Sequence, residues 1–137
     1  MKNNVISVDN LQQFNEKQLE LIVYGFEKKL DVLQYAKTDY NWQQMNEIIN
    51  GLKERLNVSV YAKSKYNYQQ MEQIRIGLKH NLDISLYSNK KFDEDQMKEI
   101  RLGLESNLNV SSYANPIFND IHMKKIRKRL MKKSTLK

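Results

Sequence analysis

The chain holds four glycines, Gly25, Gly51, Gly77 and Gly103, and each lies 26 residues beyond the one before it. Scattered glycines rarely fall into such register, so an internal repeat is the first constraint on the fold. The same step carries an aromatic through Phe14, Tyr40, Tyr66, Phe92 and Phe118. It carries an apolar residue through Leu19, Met45, Met71, Met97 and Met123, and through Ile22, Ile48, Ile74, Ile100 and Ile126. Beyond each glycine follow Phe26, Leu52, Leu78, Leu104 and Leu130, then Leu30, Leu56, Leu82 and Leu108. Val32, Val58, Ile84 and Val110 come next, and Tyr35, Tyr61, Tyr87 and Tyr113 close the unit, so the register covers about residues 12 to 130.

Within one unit, Met45, Ile48, Ile49, Leu52 and Leu56 are spaced as one stripe of a helix with 3.6 residues per turn. The spacing predicts a long helix over residues 42 to 56. Asn15, Asn41, Asn67, Asp93 and Asn119 stand just after the recurring aromatic, with Gln18, Gln44, Gln70 or Gln96 three residues on. That is a capping-box pattern: the Asx side chain accepts from an orphan backbone N–H and the glutamine reaches back. His122 takes the glutamine's place in the last unit. Asp31, Asn57, Asp83 and Asn109 are second N-cap candidates, opening a short helix of one or two turns. The tyrosines that close each unit read as core residues whose hydroxyls find a partner.

So short a helical pair cannot bury both its elements alone, and neighbouring units must share a core. The expected fold is all-α, an α-solenoid of about four and a half 26-residue units forming one domain over 1–137. Residues 1–11 are expected to be a degenerate N-terminal cap, with Ile6-Ser7 in register with Val58-Ser59; 12–114 hold four repeats; 115–137 form a basic C-terminal capping helix. The glycines sit inside the long helix, where glycine costs about 0.5–1 kcal/mol relative to alanine. Their repetition predicts close backbone approach between adjacent units, and Arg129 at the same place in the last unit marks an outer face.

The segments Gln-Met-Glu-Gln-Ile-Arg-Ile-Gly-Leu (70–78) and Gln-Met-Lys-Glu-Ile-Arg-Leu-Gly-Leu (96–104) are each followed by Leu-Asp/Asn-Ile/Val-Ser-x-Tyr. In these motifs the chain resembles the uncharacterised short helical-repeat proteins, with "QMxxIRxGL" and "DVSxYA" segments, of Gram-positive bacteria and their mobile elements. The resemblance implies an architecture and a genomic setting, and it carries over no catalytic residue. The first unit departs from the pattern at Leu19, Val23 and Phe26, and the last lacks the glycine.

Charge is distributed unevenly. The formal net charge is +7, yet residues 1–116 hold 15 basic and 15 acidic side chains. The excess lies in residues 117–137, where Lys124, Lys125, Arg127, Lys128, Arg129, Lys132, Lys133 and Lys137 face Asp120 alone. An electrostatic partner should meet this end first. Zero cysteines and two histidines leave no thiolate chemistry and no histidine-rich metal cluster. No phosphate-binding glycine loop, HExxH or GxSxG motif occurs, so no enzyme activity, cofactor or metal is expected. No apolar run approaches the roughly 18 residues of a membrane span, and no secretory h-region is present; the expected compartment is the cytoplasm.

Three groups of residues are candidates for function. Arg75, Arg101 and Arg127 share one repeat position, so they can form a ladder that tracks phosphates, or each can pair inside the scaffold, for instance with Asp83 or with helix C-terminal carbonyls. Lys124, Lys125, Arg127, Lys128, Arg129 and Lys132 make the 120–133 helix cationic: a surface for nucleic acid or an acidic protein, or the polar side of a soluble cap; no membrane partner is expected, because Met123, Ile126 and Leu130 match core positions of earlier units. Trp42, Tyr68, Glu94 and Asp120 occupy a position just after the N-cap that changes chemistry along the array: a recognition surface for another protein, or, for the two aromatics, packing on the preceding unit's short helix. The acidic run Asp93-Glu94-Asp95 reads as favourable charge at a helix N-terminus. The leading expectation is a non-enzymatic protein-binding module, in form a phage- or plasmid-borne modulator of a host system of the anti-defence type. The alternative is a nucleic-acid-binding accessory protein. An imperfectly capped end also allows a homodimer.

Overall fold

A computed structural model of the chain describes residues 8–135; the Ile6-Ser7 match and Lys137 lie outside the described residues. Among the described residues all regular structure is helical. A single turn, α1 (Val8–Leu11), precedes α2 (Glu16–Glu27), α3 (Trp42–Lys53), α4 (Tyr68–Lys79), α5 (Glu94–Glu105) and α6 (Asp120–Thr135). A three-residue 3₁₀ turn follows each of α2 to α5, at Val32–Gln34, Val58–Val60, Ile84–Leu86 and Val110–Ser112. Among the described residues no helix is long and apolar enough to cross a membrane. By contact the chain divides into two compact units, Met1–Met71 and Glu72–Lys137, with the division inside α4. In the first α2 packs on α3, and in the second α5 packs on α6.

The helices α2 to α5 begin the same way. Asn15, Asn41 and Asp93 are extended N-caps whose side chains accept the N–H of Gln18, Gln44 and Gln96, and each glutamine Oε1 accepts the N-cap N–H in return. Asn67 and Gln70 make the same reciprocal pair at 2.8 and 2.9 Å. In the last repeat Asn119 Oδ1 accepts the His122 N–H at 2.9 Å. The glutamine also acts at longer range. Its Nε2 donates at 2.7 Å from Gln18 to the Tyr40 carbonyl, from Gln44 to that of Tyr66 and from Gln96 to that of Phe118. Those acceptors immediately precede the next N-cap, so one buried amide ties the start of a helix to the start of its successor.

The helix ends repeat as well. Leu30, Leu56, Leu82 and Leu108 donate back to the carbonyls of Gly25, Gly51, Gly77 and Gly103 at 2.8–2.9 Å. Lys29, Arg55, Asn81 and Asn107 make the inner bond of this Schellman closure and carry it in the left-handed region, at φ of 57–60°. This corrects the expected 42–56 helix: α3 stops at Lys53, because the left-handed Arg55 reverses the chain and Leu56 bonds back to Gly51. The expected short helix is a single 3₁₀ turn. Asp83 and Asn109 cap theirs through the N–H of Ser85 and Ser111, whereas no side-chain cap bond forms at Asp31 or Asn57.

The core of the first unit is Ile22, Val32, Tyr35, Tyr40, Met45, Ile48, Ile49, Val58, Tyr61, Tyr66 and Met71; that of the second is Ile74, Tyr87, Phe92, Met97, Ile100, Val110, Tyr113 and Met123. Each closing tyrosine crosses its own helix at the glycine. Tyr35, Tyr61, Tyr87 and Tyr113 donate at 2.7–2.8 Å to the carbonyls of Leu21, Glu47, Gln73 and Glu99, four residues before the glycine. A Cβ on any of the four glycines would overlap that tyrosine's hydroxyl and press within 2.6–2.8 Å of a γ-carbon of Val32, Val58, Ile84 or Val110. The glycines thus make room for the 3₁₀ turn of their own unit; the expected approach of an adjacent unit's backbone is not what they accommodate. Burial, with a smaller push from Tyr24, raises the Tyr35 phenol from 10.0 to about 12, and burial raises Tyr87 and Tyr113 as well.

Two predictions follow from these contacts. In an open helix Gly51→Ala would gain roughly 1 kcal/mol of helix propensity; here we expect it to cost about 1–3 kcal/mol through overpacking. Tyr61→Phe should cost about 1 kcal/mol. Because the lost hydroxyl is the atom nearest the new methyl, the double variant should fall short of the sum by at least about 0.5 kcal/mol, and strict additivity in urea unfolding would refute the assignment. Gln44→Glu keeps the acceptor for Asn41 but aims an oxygen at the Tyr66 carbonyl. It should cost about 1–3 kcal/mol at pH 7, with part regained near pH 4 where the protonated acid donates again. A variant as stable as the parent at pH 7 would show that the inter-helix bond contributes nothing.

Candidate functional site

The arginine ladder lies largely inside the scaffold. Arg101, 9% exposed, donates from Nε to Gln73 Oε1 at 2.9 Å and from Nη1 to Glu105 Oε1 at 2.7 Å. Arg127 Nε meets Glu99 Oε2 at 2.7 Å, both side chains being mostly covered. Arg75 is half-buried. Of the two expected uses of this position, pairing within the scaffold describes Arg101 and Arg127. Their partners are Gln73, Glu105 and Glu99, in place of Asp83 or the helix C-terminal carbonyls. In both cases an arginine reaches back to the preceding long helix, at a position held in turn by Leu21, Glu47, Gln73, Glu99 and Lys125.

Glu105 Oε1 also lies 2.7 Å from Nδ1 of the half-exposed His80. Burial pushes the Glu105 carboxyl up, but the hydrogen bonds from His80 and Arg101, with the Arg101 charge, outweigh it and hold the group below its ordinary 4.5. The sequence gives no sign of this junction, because the equivalents of Glu105 are Glu27, Lys53, Lys79 and Met131.

On α6 the expected polarity is present. Met123 is fully buried, Ile126 and Leu130 are half-buried, and Lys124, Lys125, Lys128, Arg129 and Lys132 are exposed. Lys125, Lys128, Arg129 and Lys132 line one shallow groove. Ile117 and Ile121, 80% and 60% exposed, flank the start of this helix.

Trp42 and Tyr68 are the first residues of α3 and α4 and are 37% and 38% exposed. Lys17 Nζ, from α2, stands over one face of the Trp42 ring, 4.5 Å from its centroid. Glu94, at the same place on α5, is half-buried, with Asp93 engaged as the N-cap. Asp95 is raised by partial burial and by Asp120, Asp93 and Glu94, yet among the described residues no group of three or more acidic or histidine side chains could hold a metal ion.

The helix α2 carries a surface that sequence reading passed over. Glu16, Leu19, Glu20, Val23, Tyr24 and Glu27 line a groove, with Val23 52% exposed and Phe26 57% exposed beside it. The signal was available: Val23 stands where Ile49 is buried, and the three glutamates share its helical stripe.

Compared with family models, with curated proteins and with solved structures, the chain matches none.

The Glu105 junction has a defined pH signature. A carboxyl held below its ordinary value adds stability above that value and loses it as pH falls through the folded one. We therefore expect Glu105→Gln to be less stable than the parent at pH 7 and the gap to narrow progressively as pH falls below the ordinary carboxylate range. A gap independent of pH in urea unfolding would sink the ionic account.

Proposed function

We propose that the chain is a non-enzymatic binding module, an α-solenoid of 26-residue units that recognises another protein in the cytoplasm. The observation that carries this reading is the exposure of Trp42 and Tyr68 at equivalent first-turn positions, while Tyr35, Tyr61, Tyr87 and Tyr113 are fully buried. Half-exposed aromatics at fixed spacing are the side chains that dominate protein interfaces, since they bury much area at small conformational cost. The stacked arrangement is supported by the glutamine bond, which joins the starts of α2 and α3, of α3 and α4, and of α5 and α6 over 22 residues. A non-enzymatic role is supported by Arg101, Arg127, Glu99 and Glu105 being engaged in holding helices. The resemblance to repeat proteins of mobile elements suggests a phage- or plasmid-borne modulator of a host system.

A second reading rests on the exposed cations of α6. Lys124, Lys125, Lys128, Arg129 and Lys132 offer phosphate contacts without base readout. Arg75, Arg101 and Arg127 are less suited to it, given the burial of Arg101 and Arg127 against their partners.

One pair of variants separates the two. Affinity capture from host lysate with the parent, Trp42→Ala/Tyr68→Ala and Lys125→Glu/Lys128→Glu should yield a protein lost only from the aromatic variant. In parallel, anisotropy titrations with short DNA and RNA at about 50 and 200 mM salt should show no binding; binding that falls steeply over that range and disappears in the lysine variant would establish the second reading instead.

A further inference from the structure

The helices α2 and α6 carry opposite charge on the faces that α3, α4 and α5 use in contacts between successive helices. On α3, Met45 and Ile49 are buried, 0% and 2% exposed, and α2 packs on α3. Their equivalents on α2 are Leu19, half-buried, and Val23, 52% exposed. Glu16, Glu20 and Glu27 edge this stripe over 11 residues, about 16 Å of helix. It is an apolar strip bordered by three carboxylates.

The opposite surface is on α6. In the second unit each helix holds its successor by an acceptor at one repeat position: Gln73 takes Arg101 and Glu99 takes Arg127. On α6 that position is Lys125, and Lys128, Arg129 and Lys132 extend the cationic groove over seven residues, about 10 Å. The α4–α5 and α5–α6 pairs set an acceptor on the earlier helix against a cation on the later one. On the exposed faces of α6 and α2 the order is reversed, with cations on α6 and carboxylates on α2.

We propose that the α2 face of one molecule docks on the α6 face of a second copy, head to tail, with Val23 and its flanking glutamates over Lys125, Lys128, Arg129 and Lys132. The reversed polarity makes each end fit the other end and misfit an inner position, where Glu99 would meet glutamates and Arg127 would meet lysines. Each docked molecule leaves one free end of each kind, so the contact is heterologous and propagates into open chains unless its rotation closes a ring. Desolvation of Val23, Leu19 and Phe26 supplies the apolar part, and the charges select partner and register.

The test is sedimentation velocity on nuclease-treated full-length protein from about 5 to 500 μM, at about 50 and 500 mM salt. The parent should form dimers and longer species whose population grows with concentration and falls at high salt. Glu20→Lys/Glu27→Lys and Lys125→Glu/Lys128→Glu should each weaken association at least tenfold with unchanged helical circular dichroism. An equimolar mixture of the two should associate again, as should the chain bearing all four changes, because both restore opposite charge across the contact. A parent that stays monomeric throughout, a dimer that survives either pair of changes, or association abolished by the nuclease treatment would each overturn the proposal.

Discussion

One buried glutamine amide carries the heaviest structural duty in this chain. Helices of 12 residues are mostly ends, and each end leaves four backbone groups without an intrahelical partner. Gln44 resolves several together: its N–H satisfies Asn41 Oδ1, its Oε1 takes the Asn41 N–H, and its Nε2 donates to the Tyr66 carbonyl before the next helix. The last bond spans 22 residues and fixes how much chain must lie between two helix starts. A helix, a Schellman closure, a 3₁₀ turn and an aromatic turn fill that interval, so the 26-residue period is a geometric requirement of the amide as much as of the core. Hydrophobic burial alone would tolerate slippage; a buried donor and acceptor at fixed separation do not.

The far end of each helix is governed by steric exclusion. The tyrosine hydroxyl has to lie over the helix backbone to reach the carbonyl four residues before the glycine, and the missing Cβ opens that path. The left-handed residue that reverses the chain is Lys29, Arg55, Asn81 or Asn107, with glycine at none of the four. Glycine is thus placed where volume forbids a side chain, while the strained backbone position is filled by residues whose gain lies in the Schellman bonds.

This division explains what sequence could and could not reveal. The capping boxes and the buried stripe were legible at once, since the Asx–Gln spacing and the 3.6-residue period each point to one local structure. The end of α3 was not, because Leu52 and Leu56 both fit the stripe and an arginine at position 55 gives no hint of positive φ. The glycine register announced that a side chain was excluded without saying what filled the space, and a tyrosine ten residues on reads as core wherever its hydroxyl points. The arginine ladder had the same gap: spacing places Arg101 and Arg127 in a row, but their partners Gln73 and Glu99 sit at a position that also holds Leu21 and Lys125. An acceptor that varies from unit to unit leaves no periodic trace.

Two kinds of bond therefore hold successive helices, and they have different consequences. The glutamine bonds end on backbone carbonyls, which every residue possesses, so they enforce spacing while remaining blind to which unit follows. The side-chain pairs Arg101–Gln73 and Arg127–Glu99 depend on identity, since an acceptor must face a donor. Substitution at those two repeat positions can consequently change which surfaces recognise each other without disturbing the spacing. The first-turn position of Trp42, Tyr68, Glu94 and Asp120 is free in the same sense, for its backbone N–H is among the helix orphans and its side chain takes no part in the capping box. Side chains that neither the amide nor the hydroxyl network constrains can therefore vary in chemistry while the helix starts and spacing stay fixed.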